Sequence, residues 1–387
     1  MISKRASQIN PSLTLAISAK AKEMKTSGID VISFGAGEPD FDTPENIKEA
    51  AIQAIRSGFT KYTTTSGIPE LKDAICKKFE RDNHLSYERE NILVSTGAKQ
   101  CLFNLMQVLI NPGDRVILPV PYWVSYEEMV KLAGGKCDLV RTKGFRLDPN
   151  DFRSVITDKT KLLILNSPSN PTGYVYSRHE LQEIADICVE KNILVVSDEI
   201  YEPLIYEKEH ISIAELGEKI KNLTIIVNGV SKAYSMTGWR IGYCAGDKTI
   251  IRAAALLQDH MTSNPNSIAQ KAGVEALNGP QEIVATMRGA YKKRRDYIIK
   301  RLSKINGVSV SVPDGAFYVF VNVSALFNTK IHNSSEFCTQ LLEQKHVAAV
   351  PGSAFGDDAF IRLSYATSDK NIENGLDRLE GFVRDIV

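Results

Sequence analysis

Short apolar runs alternate with longer stretches of helical periodicity between about Ile92 and Gly246. Each run has at most eight residues, is rich in Ile, Val and Leu, and is bounded by turn residues. The runs are NILVS, DRVILPV, KLLILNS, NILVVSDE, NLTIIVN and IGYCAG. Strands that are continuously apolar and separated by helices are typical of a mainly parallel sheet with both faces covered. The pattern therefore predicts an α/β sandwich.

The stretches between these runs have the spacing of amphipathic helices. KQCLFNLMQVLINPGD follows the first run, and SRHELQEIADICVEKN follows the third. In the second stretch Leu181, Ile184 and Cys188 fall on one helical face. Ser177 and Glu180 have the spacing of a capping box, which predicts that a helix begins directly after Ser177.

The pattern changes after about Met287. YKKRRDYIIKRLSKI predicts a basic amphipathic helix, and VSVSVPDGAFYVFVNV alternates like an antiparallel hairpin with a Pro-Asp-Gly turn. We therefore predict a large domain over residues 46–287 and a smaller α+β domain over 288–387. Residues 1–45 lie outside the repeating pattern, and we expect them to form an arm that packs partly on the smaller domain.

The composition of the 387-residue chain is that of an ordinary globular protein. It is 43% hydrophobic and 24% charged, with a formal net charge of +1, which gives no reason to expect nucleic acid or a membrane as partner. The six cysteines are scattered without metal-binding spacing, so we expect reduced thiols, no metal site and a cytoplasmic location. The N-terminal residues have no apolar core of a signal peptide, and no apolar run is long enough to span a membrane.

Chemically useful residues follow most of the predicted strands. In an open parallel sheet, ligands bind outside the carboxyl ends of the strands, so these residues are expected to share one edge. In chain order they are Gly97-Ala98-Lys99, Trp123, Asn170, Asp198 with Tyr201, and Ser231-Lys232 with Arg240. The edge would thus collect a helix N-terminus, an aromatic ring, an amide, a carboxylate, a phenol, a lysine and an arginine.

Each of these residues taken alone has a structural explanation. Gly97 and Ala98 could simply begin a helix, Asp198 could cap one, and Lys232 could be a solvated surface charge. Trp123 alone would more often be part of a core, and Asn170 lies in a stretch typical of turns. Their occurrence at successive ends of one predicted sheet favours a common function.

Pyridoxal phosphate is a cofactor whose requirements match this set. It needs a lysine for a Schiff base, an acid beside its pyridinium nitrogen and a cradle for its phosphate. Lys232 is the candidate amine and Asp198 the candidate acid. Candidate phosphate ligands are Gly97, Ala98, Ser231 and Arg240. Trp123 can stack on the ring, and Asn170 and Tyr201 can hydrogen-bond its phenolic oxygen.

Six stretches resemble the fold-type-I pyridoxal-phosphate aminotransferases of class I and II, most closely the bacterial aspartate aminotransferase branch. They are FGAGEPDFDTP, KYTTTSGIPELK, PYWVSY, NSPSNPTG, SDEIYEPLIY and SKAYSMTGWRIG. The resemblance extends from about residue 12 to the C-terminus. It implies a seven-stranded, mainly parallel sheet in the large domain and the cofactor roles given above. It also implies a homodimer, because Tyr62 is similar to a tyrosine that reaches the cofactor phosphate of the neighbouring subunit.

The resemblance also implies how substrates bind. Arg362 in AFIRLSYATS corresponds to the arginine that clamps the α-carboxylate, a role for which a guanidinium fork suits a carboxylate better than an ammonium. Gly37 is similar to a glycine whose backbone approaches the substrate, and Lys99 to a lysine that serves the distal carboxylate.

The chain departs from the family pattern at two places. Many relatives have a hydroxyl two or three residues before the lysine, where this chain has Gly229 and Val230, so the hydroxyl that meets the phosphate is left open. Relatives that use prephenate have a lysine near the N-terminus where this chain has Asn10, which argues against prephenate.

The resemblance implies ping-pong transamination between L-aspartate or L-glutamate and 2-oxoglutarate or oxaloacetate. A different amino-acid preference (aromatic, alanine or prephenate) or a pyridoxal-phosphate β-lyase is the main alternative. A nicotinamide-dependent dehydrogenase is disfavoured because Asp40 stands where the third glycine of the dinucleotide fingerprint belongs. A regulator built on the same scaffold would need a DNA-binding segment, for which the pattern offers no candidate.

Overall fold

A computed structural model describes residues 2–3, 6–11 and 13–387 of the chain. Its strands are β1 (Ile32–Ser33), β2 (Ile92–Thr96), β3 (Arg115–Val120), β4 (Lys136–Arg141), β5 (Thr160–Asn166), β6 (Leu194–Asp198), β7 (Thr224–Gly229), β8 (Ile241–Ala245), β9 (Ser309–Val310), β10 (Tyr318–Asn322), β11 (Val347–Ala348), β12 (Val350–Pro351) and β13 (Phe360–Ser364).

The α-helices are α1 (Leu13–Thr26), α2 (Glu45–Arg56), α3 (Pro69–Asn83), α4 (Ala98–Leu109), α5 (Ser125–Leu132), α6 (Pro149–Ser154), α7 (Arg178–Lys191), α8 (Glu218–Lys221), α9 (Lys248–Asp259), α10 (Ser267–Asn278), α11 (Glu282–Leu302), α12 (Ser334–Lys345) and α13 (Asp369–Ile386). The Ser177 capping box is present at the start of α7, where both reciprocal hydrogen bonds with Glu180 form. No helix in the described part of the chain is apolar over a length that could cross a membrane.

Seven strands form the main sheet, in the order β2-β8-β7-β6-β5-β3-β4. All neighbouring pairs are parallel except the two that involve β8, which runs antiparallel to β2 and β7. The prediction of a mainly parallel, seven-stranded sheet is therefore confirmed. The apolar runs did not predict β4, an edge strand in which only Val140 is buried, because a strand that faces solvent needs no continuous apolar sequence.

Successive residues of these strands point into different cores, as the alternation of side chains across a strand requires. Val196 packs with α4, α5 and α9 on one face of the sheet, whereas Val195 packs with α7 on the other face. Helices α2, α3 and α10 cover the remainder of that second face, beside β2, β7 and β8. The sheet is therefore sandwiched by helices, and its strand ends are the part left free for ligands.

A second, four-stranded antiparallel sheet has the order β12-β13-β10-β9. The predicted hairpin corresponds to β9 and β10, which pair antiparallel at Val310–Val321. Its Pro-Asp-Gly segment lies in the longer connection between these strands, where the N–H groups of Asp314 and Gly315 donate to the Gly173 carbonyl. This contact attaches the second sheet to a loop that follows β5.

The N-terminal segment lies against the C-terminal part of the chain. β1 pairs parallel with β11, and Ala21 of α1 packs against Val31, Leu342 and Ala348. A core around the four-stranded sheet includes Phe34 of the N-terminal segment. The boundary predicted at residue 287 falls within α11, a continuous helix of 21 residues.

The basic residues of α11 are largely paired with carboxylates. Arg294 contacts Asp40 and Asp369, Arg295 contacts Glu207 and Asp296, and Arg301 contacts Asp377 and Glu380. A basic run in the sequence is therefore neutralised locally in the fold, which agrees with the balanced net charge.

Candidate active site

A cavity of about 690 Å³ lies at the carboxyl ends of the main-sheet strands. The N-terminal segment and β13 close it from the other side, because both contribute residues to its wall. Eleven of the residues singled out from the sequence line it: Gly37, Ala98, Lys99, Trp123, Asn170, Asp198, Tyr201, Ser231, Lys232, Arg240 and Arg362. Two others do not: Gly97 lies behind the wall at the start of α4, and Tyr62 is 91% exposed elsewhere on the surface.

Lys232 follows β7, whose six residues are all buried, so the strand fixes the base of its loop. Its Nζ donates to the Gly37 carbonyl at 2.6 Å. Burial, and after it the positive charge of Arg362, lowers the pKa of Lys232 to about 8. About a tenth of this amine is therefore unprotonated at pH 7, and the unprotonated form is the one that a nucleophile or a general base requires.

Asp198 is the last residue of β6 and is buried. The Tyr126 hydroxyl donates to its Oδ2 at 2.7 Å, and the Ile200 N–H donates to its Oδ1 at 3.3 Å. Burial raises the pKa of Asp198 to about 6, and these hydrogen bonds limit the rise. The carboxylate is thus ionised at neutral pH, in surroundings that favour an adjacent positive charge.

Arg362 lies on β13 and is buried without a carboxylate partner among the residues that the structure describes. Its Nη1 donates to Asn170 Oδ1 at 3.0 Å and its Nη2 donates to the Gly35 carbonyl at 2.9 Å, whereas its Nε has no partner in the described part of the chain. The guanidinium lies 4.4 Å from the ring centre of Tyr318. A buried cation with an unused donor is suited to an anionic ligand.

Tyr201 and Asn170 are connected to this arginine. The Tyr201 hydroxyl lies 2.8 Å from that of Tyr318, on which Arg362 stacks. Because Asn170 Oδ1 accepts from Arg362, its amide nitrogen is left as a donor. Tyr201 and Asn170 can therefore direct a hydroxyl and an amide donor toward one ligand oxygen.

The start of α4 and the Arg240 side chain meet at the cavity wall. Gly97 has a φ of +84°, and a Cβ at this position would lie 2.4 Å from Arg240 Nη2. A side chain is thus excluded both by conformation and by space. The first N–H groups of α4 have no carbonyl partner within the helix. Together with the Arg240 guanidinium and the nearby Ser231, they form a site suited to a phosphate.

Lys99 and Trp123 form one wall of the cavity. Lys99 Nζ lies 4.7 Å from the Trp123 ring centre, and Trp123 packs edge to face on Tyr126. Burial, followed by the charge of Arg240, lowers the pKa of Lys99. The arrangement gives a flat aromatic surface with a cation beside it.

The family model of class I and II aminotransferases matches residues 29–379. The chain belongs to this family.

Aminotransferases of several bacteria are similar to this chain over nearly their whole length. The aspartate aminotransferase of Bacillus sp. (strain YM-2) is 51% identical over 99% of both chains, and that of Bacillus subtilis is 49% identical over 99% of this chain and 98% of that protein. Among solved structures, the aspartate aminotransferase of Rhizobium meliloti covers 99% of both chains at 44% identity, with a TM-score of 0.96.

Three residues of this aminotransferase's site were missed by the sequence reasoning: Tyr126, Tyr318 and Asn166. Asn166 holds the segments after β5 and β6, because its side chain donates to the Asp198 carbonyl and accepts from the Asn170 N–H. Tyr126 stands three residues after Trp123, in the PYWVSY stretch that carries the family resemblance, so that stretch was the available signal. Tyr318 carries no comparable signal, since it comes from the second sheet.

Two buried carboxylates anchor the segment that carries Asp198 and Tyr201. Glu202 accepts from Lys78, Asn83 and Asn228, which ties this segment to α3 and β7. Glu199 accepts from the hydroxyls of Ser197 and Ser212 and lies 3.0 Å from His210 Nε2. Because Lys78 already neutralises Glu202, we interpret this cluster as structural support that holds the segment of Asp198 and Tyr201 in place.

Proposed function

We propose that this aminotransferase uses pyridoxal phosphate to move an amino group between L-aspartate or L-glutamate and 2-oxoglutarate or oxaloacetate. One observation carries the proposal. A single cavity contains three complementary groups. Lys232 is an amine with a lowered pKa, Arg362 is a buried arginine without a carboxylate partner among the described residues, and Lys99 is a second cation that would bind a distal carboxylate. The names of the relatives from Bacillus agree with this substrate class.

The residues of the cavity fit the cofactor. When bound, pyridoxal phosphate supplies an electron-withdrawing ring that stabilises negative charge on the substrate α-carbon. Lys232 would hold it covalently, and Asp198 would pair with its ring nitrogen. Gly97, whose missing side chain makes room for Arg240, would help to hold the phosphate with Ala98, Ser231 and Arg240. Trp123 would stack on the ring, and Asn170 and Tyr201 would donate to the phenolic oxygen.

The substrate would be oriented by the two cationic groups. Arg362 would bind the α-carboxylate through its fork, with Asn170 and the Gly37 backbone close to it. Trp123 would border the same space, and Lys99 would meet the distal carboxylate. This orientation sets the α-carbon hydrogen toward Lys232.

Lys232 would act as the base that takes the proton from the substrate α-carbon. With a pKa of about 8, its amine can both accept and release a proton near neutral pH. Because Arg362 would serve amino acids and oxo acids alike, the first product leaves before the second substrate enters. Ping-pong kinetics therefore follow from the single carboxylate clamp.

The organisation of the chain completes the proposal. We assign residues 46–287 to a cofactor-binding domain, residues 288–387 to a smaller domain and residues 1–45 to an arm. The exposed Tyr62 ring would reach the cofactor phosphate of a second copy, so the active form would be a homodimer. All six cysteines are free, which suits a cytoplasmic enzyme.

A half-reaction panel tests the substrate assignment. Lys99→Met keeps an apolar stem on Trp123 but removes the charge, and Lys99→Arg is the matched control. We expect Lys99→Met to lose about 10- to 100-fold in kcat/KM for aspartate and glutamate, the value of a hydrogen bond to a charged group, with alanine little changed. Lys99→Arg should retain most activity. An equal loss for all three amino acids would remove Lys99 from distal-carboxylate binding.

Prephenate is a second acceptor to include in the panel. The relative from Cereibacter sphaeroides, at 46% identity, is named "Aspartate/prephenate aminotransferase", and that from Rickettsia bellii, at 48%, is named "Probable aspartate/prephenate aminotransferase". In this chain, the side chain and N–H of Asn10 donate to Glu128 instead of facing the cavity. We therefore expect prephenate to react far more slowly than 2-oxoglutarate. Comparable rates would show that Asn10 does not disfavour prephenate.

A further inference from the structure

Helix α1 forms part of the cavity wall and presents two lysines to it. One side of the helix packs on the protein, where Ile17 and Met24 contact a small core with Leu342 and Ala348. The adjacent side lines the cavity with Thr14, Leu15, Ser18, Lys22 and Lys25, and Ala21 lies between the two sides, in contact with both the core and the cavity. The spacing of these positions follows one face of a helix, so both lysines lie on the cavity side.

Neither lysine has a carboxylate partner among the described residues. Lys22 and Lys25 are exposed, and no ion pair is formed by either across residues 2–3, 6–11 and 13–387. By contrast, Lys20 on the same helix pairs with Glu343 at 3.0 Å and is absent from the cavity wall. The helix thus neutralises its outward lysine and leaves the two cavity lysines unpaired.

The charges of the cavity are strongly asymmetric. Its wall contains six cations and two carboxylates, namely Lys22, Lys25, Lys99, Lys232, Arg240 and Arg362 against Glu38 and Asp198. The proposed function assigns a ligand to four of the cations, which leaves Lys22 and Lys25 without one. Cations at the mouth of a low-dielectric cleft raise the local concentration of anions there.

We infer that Lys22 and Lys25 form an electropositive entrance that selects doubly charged dicarboxylates over singly charged acids before they reach Arg362 and Lys99. This inference rests on the proposed function and deepens it, because it adds a long-range contribution to substrate choice. The entrance acts on capture of the substrate, so it changes kcat/KM and leaves kcat at saturation unchanged.

The expected size follows from elementary electrostatics. Two cations on the order of 10 Å from a dianion, in water at about 10 mM salt, favour its capture by roughly fivefold to tenfold. For a monoanion the factor is about twofold to threefold, because the energy scales with ligand charge. At about 0.5 M salt, the screening length is only a few ångströms and both factors approach one.

The test compares Lys22→Gln/Lys25→Gln with the wild type in the holoenzyme. The amine form of the enzyme is reacted with 2-oxoglutarate and with pyruvate at low and high salt. We expect the double variant to lose about fivefold to tenfold in kcat/KM for 2-oxoglutarate at low salt and less than about twofold at high salt. Lys22→Arg/Lys25→Arg should restore the wild-type values, and Lys20→Gln should match the wild type.

Equilibrium binding supplies a second readout that needs no turnover. Calorimetry with maleate, an unreactive dianion, should show the same salt-dependent loss in the double variant, while propionate changes less. A salt-independent loss, or an equal loss for both charge types, would overturn the inference and leave the lysines as neutralisers of the C-terminal dipole of α1. If the wild type does not transaminate dicarboxylates, the proposed function is wrong. The maleate experiment still tests whether Lys22 and Lys25 favour dianions, because it needs no turnover.

Discussion

Replacement of Asp198 by Asn tests the electrostatic design of the site without any substrate. Burial raises the pKa of Asp198 from 3.8 to about 6. Each pKa unit corresponds to about 1.4 kcal/mol, so ionised Asp198 lowers the free energy of unfolding by about 3 kcal/mol relative to its protonated form. Because the folded-state pKa is the higher one, its contribution to stability is fully present below pH 3.8 and is lost as the pH rises through 6.

The measurement is the difference in free energy of unfolding between wild type and Asp198→Asn, both as apoproteins. Denaturant titrations at several pH values between 4.5 and 7.5 supply this difference, in which other titrating groups cancel. As the pH rises over this range, we expect the free energy of unfolding of the wild type to fall by about 2 kcal/mol relative to that of the variant. Carbon-13 NMR of the aspartate carboxyl groups would show the same transition directly, near pH 6.

A difference that stays constant with pH, or a carboxyl group that titrates near 3.8, would contradict a raised pKa of Asp198. It would mean that Tyr126 and the Ile200 N–H stabilise the carboxylate enough to offset its burial. The expected result would show instead that the fold tolerates an unfavourable buried charge, which the proposed pairing with a cofactor ring nitrogen would offset.

Three further changes have defined outcomes. Tyr126→Phe should raise the pKa of Asp198 above about 6 by roughly one to two units, because a hydrogen bond to the ionised form is lost, and carboxyl NMR would detect the shift. Arg362→Lys should lower kcat/KM about 100-fold or more for every amino acid, since an ammonium cannot form the fork; a near-normal value would exclude Arg362 as the clamp. Gly97→Ala should weaken pyridoxal-phosphate binding, measured by fluorescence titration, because the new methyl group would displace Arg240; an unchanged affinity would argue against a phosphate site there.

The apolar pattern was sufficient to predict the layered architecture. A buried parallel strand needs apolar residues on both faces. Five parallel strands and β8 could therefore be recognised from continuous apolar runs in the sequence. The edge strand β4 left none, because solvent on one side permits a polar sequence such as that of Lys136 and Asp138. The second sheet was recognised only as a hairpin, since β13 pairs with β10 from a distant part of the chain and β12 has only two residues.

The order of residues along the chain also determined which groups follow the strands. Asp198, Lys232 and Gly97 each stand at or just beyond a strand end, and a parallel sheet brings such ends to one edge. Local sequence was therefore sufficient to predict the residues on one side of the cavity. It could not give their ionisation, since the pKa values of Asp198 and Lys232 depend on burial by the whole fold.

The residues that face these groups from the other side are set by tertiary packing. Arg362 meets Asn170 across 192 positions of sequence, and the Lys232 amine meets the Gly37 carbonyl across 195. Contacts of this separation depend on how the second sheet and the N-terminal segment close over the main sheet, which no local periodicity encodes. The sequence thus determined the chemistry available at one sheet edge, and the packing of the two sheets determined which charges remained buried, unpaired and ready for a ligand.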